Sequence, residues 1–253
     1  MPGVFRIPLT SGPRAAADRR TLGWATAGLT GAALVTSLLI APPDHIQGDA
    51  QRLMYLHVPA AWTAYLAFAA VLVTSLAYLI RRDLRWDRCA RAAAEIGVGL
   101  TALTIALGAV WGQLVWGTWW AWDPRLVSTV LLLLVYAACL TIRHHPGGGG
   151  EPAAHRAAHR AARLGIAGFA LVPLVHWSVV WWRSLHQSAT VLTPGKPPID
   201  LLMGIALLLS MLACTVGAGG VFLRRVATLE DRVRDRTDRL ATRTPASAGR
   251  KHR

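Results

Sequence analysis

Between Trp111 and Trp122 the chain places five indoles in twelve residues, four of them in the run WGTWWAWDPR as Trp116, Trp119, Trp120 and Trp122, followed by Asp123 and Arg125. Indole is the largest side chain and its N–H needs a partner, so this density suits a flat, apolar ligand held against aromatic surface. If Trp116–Asp123 is helical, Trp116, Trp119, Trp120 and Asp123 share one face, and a helix lying flat on a bilayer would offer an apolar platform. Trp122 falls elsewhere on the wheel. Asp123 followed by Pro124 also reads as a helix N-cap with proline in the first turn, so a capping role stands beside any ligand role. The guanidinium of Arg125 suits a carboxylate, with snorkelling to lipid phosphate as the alternative.

Histidines supply the second cue. His57 lies in LHVPAAW and His186 in SLHQS, in segments that flank the tryptophan run on either side. Two neutral imidazoles facing each other across an aromatic slab would fill both axial positions of a six-coordinate haem iron. For either one alone, a hydrogen-bonding surface role is the plainer reading. His176 differs, because it sits inside the apolar stretch ALVPLVHWS, where an ionisable group is expensive. Its alternative role is to serve a helix kinked by Pro173, which would leave the Phe169 carbonyl without its usual donor. Ten residues of helix would separate His176 from His186 by roughly 15 Å, so it is expected away from the same iron. His155 and His159 in HRAAH have metal-pair spacing but no acidic or thiol partners. Cys89, Cys139 and Cys214 form no CxxC pair, and without a CxxCH any haem would be bound non-covalently, as haem b. No GxxxxGK[ST] or HExxH is present, so ATP hydrolysis and zinc-protease chemistry are not expected of this chain.

These residues must be positioned by a membrane scaffold. Of the 253 residues 53% are hydrophobic and 16% charged, with the apolar residues in long runs. Six runs are long enough to cross ~30 Å of hydrocarbon as helices: 24–41, 58–80, 92–114, 126–142, 164–182 and 199–223. The alternating ten-residue pattern of a membrane barrel is absent. The expected fold is therefore all-α and polytopic, a bundle of six transmembrane helices with the tryptophan run between the third and fourth. It divides into an N-terminal arm (1–21), a membrane domain (22–225) and a basic tail (226–253). A net charge of +14 could suggest nucleic acid, but its placement points to the lipid bilayer. The two termini and the loops 81–91 and 143–163 hold 23 of the 27 Lys and Arg, whereas the opposite side holds only Arg52, Arg125, Arg183 and Lys196. The positive-inside rule then puts both termini in the cytoplasm and the tryptophan run outside. Nine of eleven Trp fall on that outer side, which is not the two-sided belt of an ordinary membrane protein. HHPGGGGEPAAHRAAHR reads as a flexible connector, and the segment after Arg224 as a solvated tail or a charged surface helix.

WGTWWAWDPRL, RLMYLHVPAAW and HWSVVWWRSLHQSAT together resemble the cytochrome c maturation CcmC family of WWD haem-handling proteins, over about residues 22–225. Pro124 and Val127 stand where the family more often has a small residue and Thr. The resemblance implies haem held at the outer face of a bacterial inner membrane, with His57 and His186 as axial ligands. It implies a binding surface of Trp111, Trp116, Trp119, Trp120, Trp122, Asp123 and Arg125, with Arg52 as a further propionate partner. It further implies a non-enzymatic role, presentation of haem to the periplasmic chaperone CcmE, with CcmD and the ATP-driven pair CcmA and CcmB as membrane partners. The competing readings are a membrane b-type cytochrome that moves electrons and a transporter subunit with no bound pigment. A shallow site in the outer loops is expected.

Overall fold

In the computed structural model, residues 13–147, 149–182, 184–186 and 199–243 are described. Of the outer charges, Arg183 and Lys196 lie outside these residues, as do residues 1–12 of the N-terminal arm. The described residues form seven α-helices and no strand: α1 (Pro13–Val35), α2 (Met54–Arg81), α3 (Leu84–Trp116), α4 (Pro124–His144), α5 (Gly150–Gly168), α6 (Leu171–Trp181) and α7 (Leu201–Arg243). Six stretches are long and apolar enough to span a membrane, with α5 and α6 joined as one of them. The architecture is the expected all-α polytopic bundle.

Sequence chemistry sets the helix ends. Asp83 caps α3 by accepting from the Arg85 N–H at 2.8 Å, and Asp123 caps α4 in the same way ahead of Pro124. At the end of α3, Gly117 takes a left-handed conformation (φ 73°) that side chains resist, and the helix stops there. The centre of the bundle is a cluster of Phe68, Val71, Leu132, Tyr136, Cys139 and Val175, with Phe68 stacked on Tyr136 at 3.8 Å between centroids. Gly97 permits this stack, because a Cβ there would lie 2.4 Å from the Phe68 ring. α1 packs chiefly on α7 and is otherwise exposed, as a lipid-facing helix should be.

Two expectations, on the connector and on the Phe169 carbonyl, are corrected. The connector read as flexible is helical from Gly150, because Ala153, Ala157, Ala158, Ala161, Ala162 and Gly165 form one small-residue face that is buried against α2 and α4. Tyr136 donates from its hydroxyl to the Gly165 carbonyl at 3.0 Å across that close approach. Of the two readings of the segment after Arg224, the structure has a helix: α7 runs unbroken across residue 225, burying Val226 and Leu229 against Cys89 and Ala92, with residues 231–239 exposed. The Phe169 carbonyl is not orphaned by Pro173. The helix breaks at residues 169–170, where that carbonyl accepts from the Val172 N–H at 3.0 Å.

The helix ends divide between two faces of the bundle. One carries the tryptophan run, and the other carries the arginines, tied by ion pairs that include Arg143–Asp87 at 2.8 Å.

Candidate functional site

The tryptophan run is not a helix. After Gly117 the chain crosses residues 117–123 as irregular backbone before α4 begins, so the platform built on helical spacing does not form. The indoles instead divide by role. Trp116 and Trp120 line a cavity of about 250 Å³, Trp111 joins them from α3, and Trp119 and Trp122 face outward at 60% and 86% exposure. Thr118 holds the crossing by donating its hydroxyl to the Trp120 carbonyl at 2.8 Å, and Gly112 leaves room beneath it for the Thr118 carbonyl and the Trp116 ring.

The same cavity is lined by both His57 and His186. Each imidazole stands edge-on to an indole: His57 to Trp111 (5.7 Å, 75°) and His186 to Trp116 (5.0 Å, 73°). In both rings Nδ1 is buried without a hydrogen bond. A neutral imidazole that keeps its proton on the buried nitrogen presents a lone pair on the other, the form that ligates metal. Among the described residues no three His, Cys, Asp or Glu gather as a self-sufficient metal site. Two lone imidazoles fit an iron that brings its own equatorial ligands.

Asp123 does more than cap. Its Oδ1 accepts from the Arg125 N–H (2.8 Å), while Oδ2 accepts from the Ser184 hydroxyl (2.6 Å) and the Leu185 N–H (2.9 Å). Ser184 in turn accepts from the His186 N–H at 3.0 Å. One buried carboxylate thus clamps the start of α4 to the segment bearing His186. His186 Nδ1 lies 3.3 Å from Asp123 Oδ1, close but unaligned for a hydrogen bond. Burial would push the Asp123 carboxyl up, but the bonds from Ser184, Arg125 and Leu185 outweigh it, and the group sits below the usual carboxylate value, ionised at neutral pH. For His186, burial comes first and lowers the pKa, with the Arg125 charge adding to it and Asp123 opposing. The net shift is downward, which keeps the ring neutral and competent to ligate.

Arg125 lies within the cavity wall, donating from one terminal nitrogen to the His176 carbonyl at 2.9 Å while its Nε is buried without a partner. A guanidinium in the wall of an apolar cavity is a place for a carboxylate. Arg52 is held elsewhere, by Asp49 at 2.9 Å and by the Ser37 carbonyl, outside the residues that line the cavity. Gln47 links that loop to the site by accepting from the Trp111 N–H at 3.0 Å.

One expectation about depth is corrected. The cavity is not shallow: on α3 its lining runs from Trp116 down to Thr101, roughly 22 Å of helix at ~1.5 Å per residue. His176 lines the same cavity as His57 and His186. The separation of His176 from His186 expected from the sequence assumed one helix through residue 186, whereas α6 ends at Trp181 and the chain turns back toward Asp123. Among the residues missed by sequence reasoning are Ser184, which joins Asp123 to His186, and Tyr65, Thr101 and Thr104 on the inner walls.

Comparison with known proteins matches residues 13–241 to the family described as heme exporter protein C, CcmC. A protein named heme exporter protein C from Bradyrhizobium diazoefficiens is 36% identical over 200 residues, covering 78% of this chain and 74% of that one. Its namesake from Paracoccus denitrificans is 37% identical over 180 residues, covering 69% and 72%, and that from Haemophilus influenzae is 32% identical over 181 residues, covering 72% of each.

Proposed function

Because the chain belongs to the heme exporter protein C family, we propose that its cavity receives haem as cargo in cytochrome c maturation, held non-covalently and then given up to another protein. The observation that carries this reading is the pair of imidazoles that line one aromatic-walled cavity, each with its Nδ1 buried. His57 and His186 are the axial ligands, Trp111, Trp116 and Trp120 form the apolar walls, and Arg125 takes a propionate. Arg52 serves a propionate only if its loop turns from Asp49, so its role is secondary. Trp119 and Trp122, exposed beside the mouth, form the surface that meets the acceptor.

The asymmetry of Lys and Arg supports a topology with both termini in the cytoplasm and the tryptophan face on the opposite side, which for a bacterial inner membrane is the periplasmic one. On that side the acceptor is the periplasmic haem chaperone CcmE, with CcmD, CcmA and CcmB completing the membrane assembly and CcmA supplying ATP hydrolysis. The chain itself performs no covalent chemistry. It must hold haem firmly enough to capture it and loosely enough to release it, and ligation by two imidazoles in an open cavity does both.

The test is the visible spectrum of the purified protein beside His57→Ala and His186→Ala. The parent should show a six-coordinate low-spin Soret band that each substitution converts to high-spin or removes. A colourless parent from haem-replete cells, or a band indifferent to both changes, would overturn the reading.

A further inference from the structure

His57 does not rest on α3 by side-chain contact alone. Its ring enters a gap in the helix surface at Gly108, where an added Cβ would lie 2.9 Å from Cε1 and 3.5 Å from Nδ1. Contact at 2.9 Å between carbon atoms is well inside the ~3.5–4.0 Å optimum, so no residue but glycine admits the ring at this depth. Thr104 lies one turn earlier on α3, beside the same ring. Trp111, one turn later, meets the ring edge-on. Thr104, Gly108 and Trp111 lie on one helix face by their i, i+4, i+7 spacing, and all three line the cavity.

We propose that Gly108 is the positioning residue of the His57 ligand. Its missing side chain opens a seat on α3 that buries the Cε1–Nδ1 edge of the ring, so that Nε2 is left to carry the lone pair into the cavity. The ring is thus oriented by packing against a helix backbone, where metal-binding histidines more often rely on a carboxylate or carbonyl at the second nitrogen. The two ligands are thus fixed by different means. Asp123 holds His186 through its own chain segment, whereas a gap in α3 holds His57 by shape. The inference rests on the haem reading above and deepens it, by assigning a residue that acts through the ligand it seats.

Gly108→Ala should accumulate in the membrane and lose the low-spin signature, its Soret band shifting to the high-spin position seen in His57→Ala, with added free imidazole restoring the low-spin band. Gly99→Ala, on the same helix where a Cβ meets nothing within 4 Å, should keep the parent spectrum. Combining the changes separates position from fold. In a His57→Ala background the ring is gone, so Gly108→Ala should change neither haem content nor spectrum further, and the double variant should accumulate even where Gly108→Ala alone does not. A parent-like spectrum in Gly108→Ala would overturn the proposal, as would equal additional loss in the His57→Ala background, or failure of both single and double variants to accumulate. A parent that binds no haem would instead overturn the haem reading, so the two failures are distinguishable.

Discussion

Replacing Asp123 by asparagine separates helix capping from ligand placement. Asparagine retains an Oδ1 for the Arg125 N–H and caps about as well as aspartate, so α4 should start where it does now. Its amide nitrogen cannot accept from the Ser184 hydroxyl or the Leu185 N–H, which now converge on Oδ2. A hydrogen bond to an ionised acceptor contributes ~1.5–3 kcal/mol. Leu185 is half-exposed, so water replaces part of what the two bonds supply, and a net loss of about 2–3 kcal/mol is expected. That loss falls on the segment carrying His186 rather than on the bundle, and at 1.4 kcal/mol per factor of ten it corresponds to roughly a 30- to 150-fold weaker haem affinity. The assay is a haem titration followed by the Soret band, beside thermal unfolding of the haem-free protein. Asp123→Asn should weaken binding by that factor while unfolding stays close to the parent's, and Asp123→Ala should weaken binding similarly and also lose the cap, costing about 1 kcal/mol of stability. Parent-like affinity in Asp123→Asn would refute the clamp and return Asp123 to the role of a cap.

The remaining tests probe other parts of the same structure. His186 has a folded pKa below its ordinary value of 6.5, so neutral ligation and the stability linked to it are present above that pH and are lost as the pH falls below it; a spectrum half-lost at or above pH 6.5 would contradict this. Trp116→Ala removes a cavity wall and the edge contact to His186 and should weaken haem binding by about 2 kcal/mol, on the order of 30-fold, whereas Trp122→Ala should leave affinity unchanged and slow only transfer to an acceptor. Gly97→Ala forces a Cβ against Phe68 and should cost ~1–3 kcal/mol by thermal unfolding; a neutral result would mean the stacked rings can shift. On the arginine face, Asp87→Ala strands the buried Arg143 guanidinium and should cost about 3 kcal/mol, most of it recovered by Asp87→Leu with Arg143→Met, and an unchanged unfolding temperature in the single variant would count against the pair.

What could be read from the sequence was what local pattern controls. Long apolar runs gave the spans, and Asp123-Pro124 gave the start of α4, because hydropathy and capping act over a few residues. The connector was misread because its glycines and histidines hide a second periodicity: Ala153, Ala157, Ala158, Ala161 and Ala162 repeat at helical spacing, a signal of close packing that a hydropathy reading passes over. The tryptophan run was misread as a helix although Gly117 stands within it, and a glycine after a long helix is itself a stop signal.

Pairings set by tertiary approach were beyond sequence reasoning. The break at 169–170 and the turn after Trp181 bring Ser184 and Leu185 onto Asp123, some sixty residues away, and no local rule joins a cap residue to a loop that distant. The consequence is functional as well as topological. A carboxylate that caps one helix while fixing a ligand from another segment makes the ligand's position depend on the packing of α4 against α6. A partner that moved either helix would loosen His186 without touching the cavity, while His57, seated in the backbone of α3, stayed in place. Release would then begin at His186, and a protein with Asp123→Asn should yield haem to an acceptor faster than it captures it.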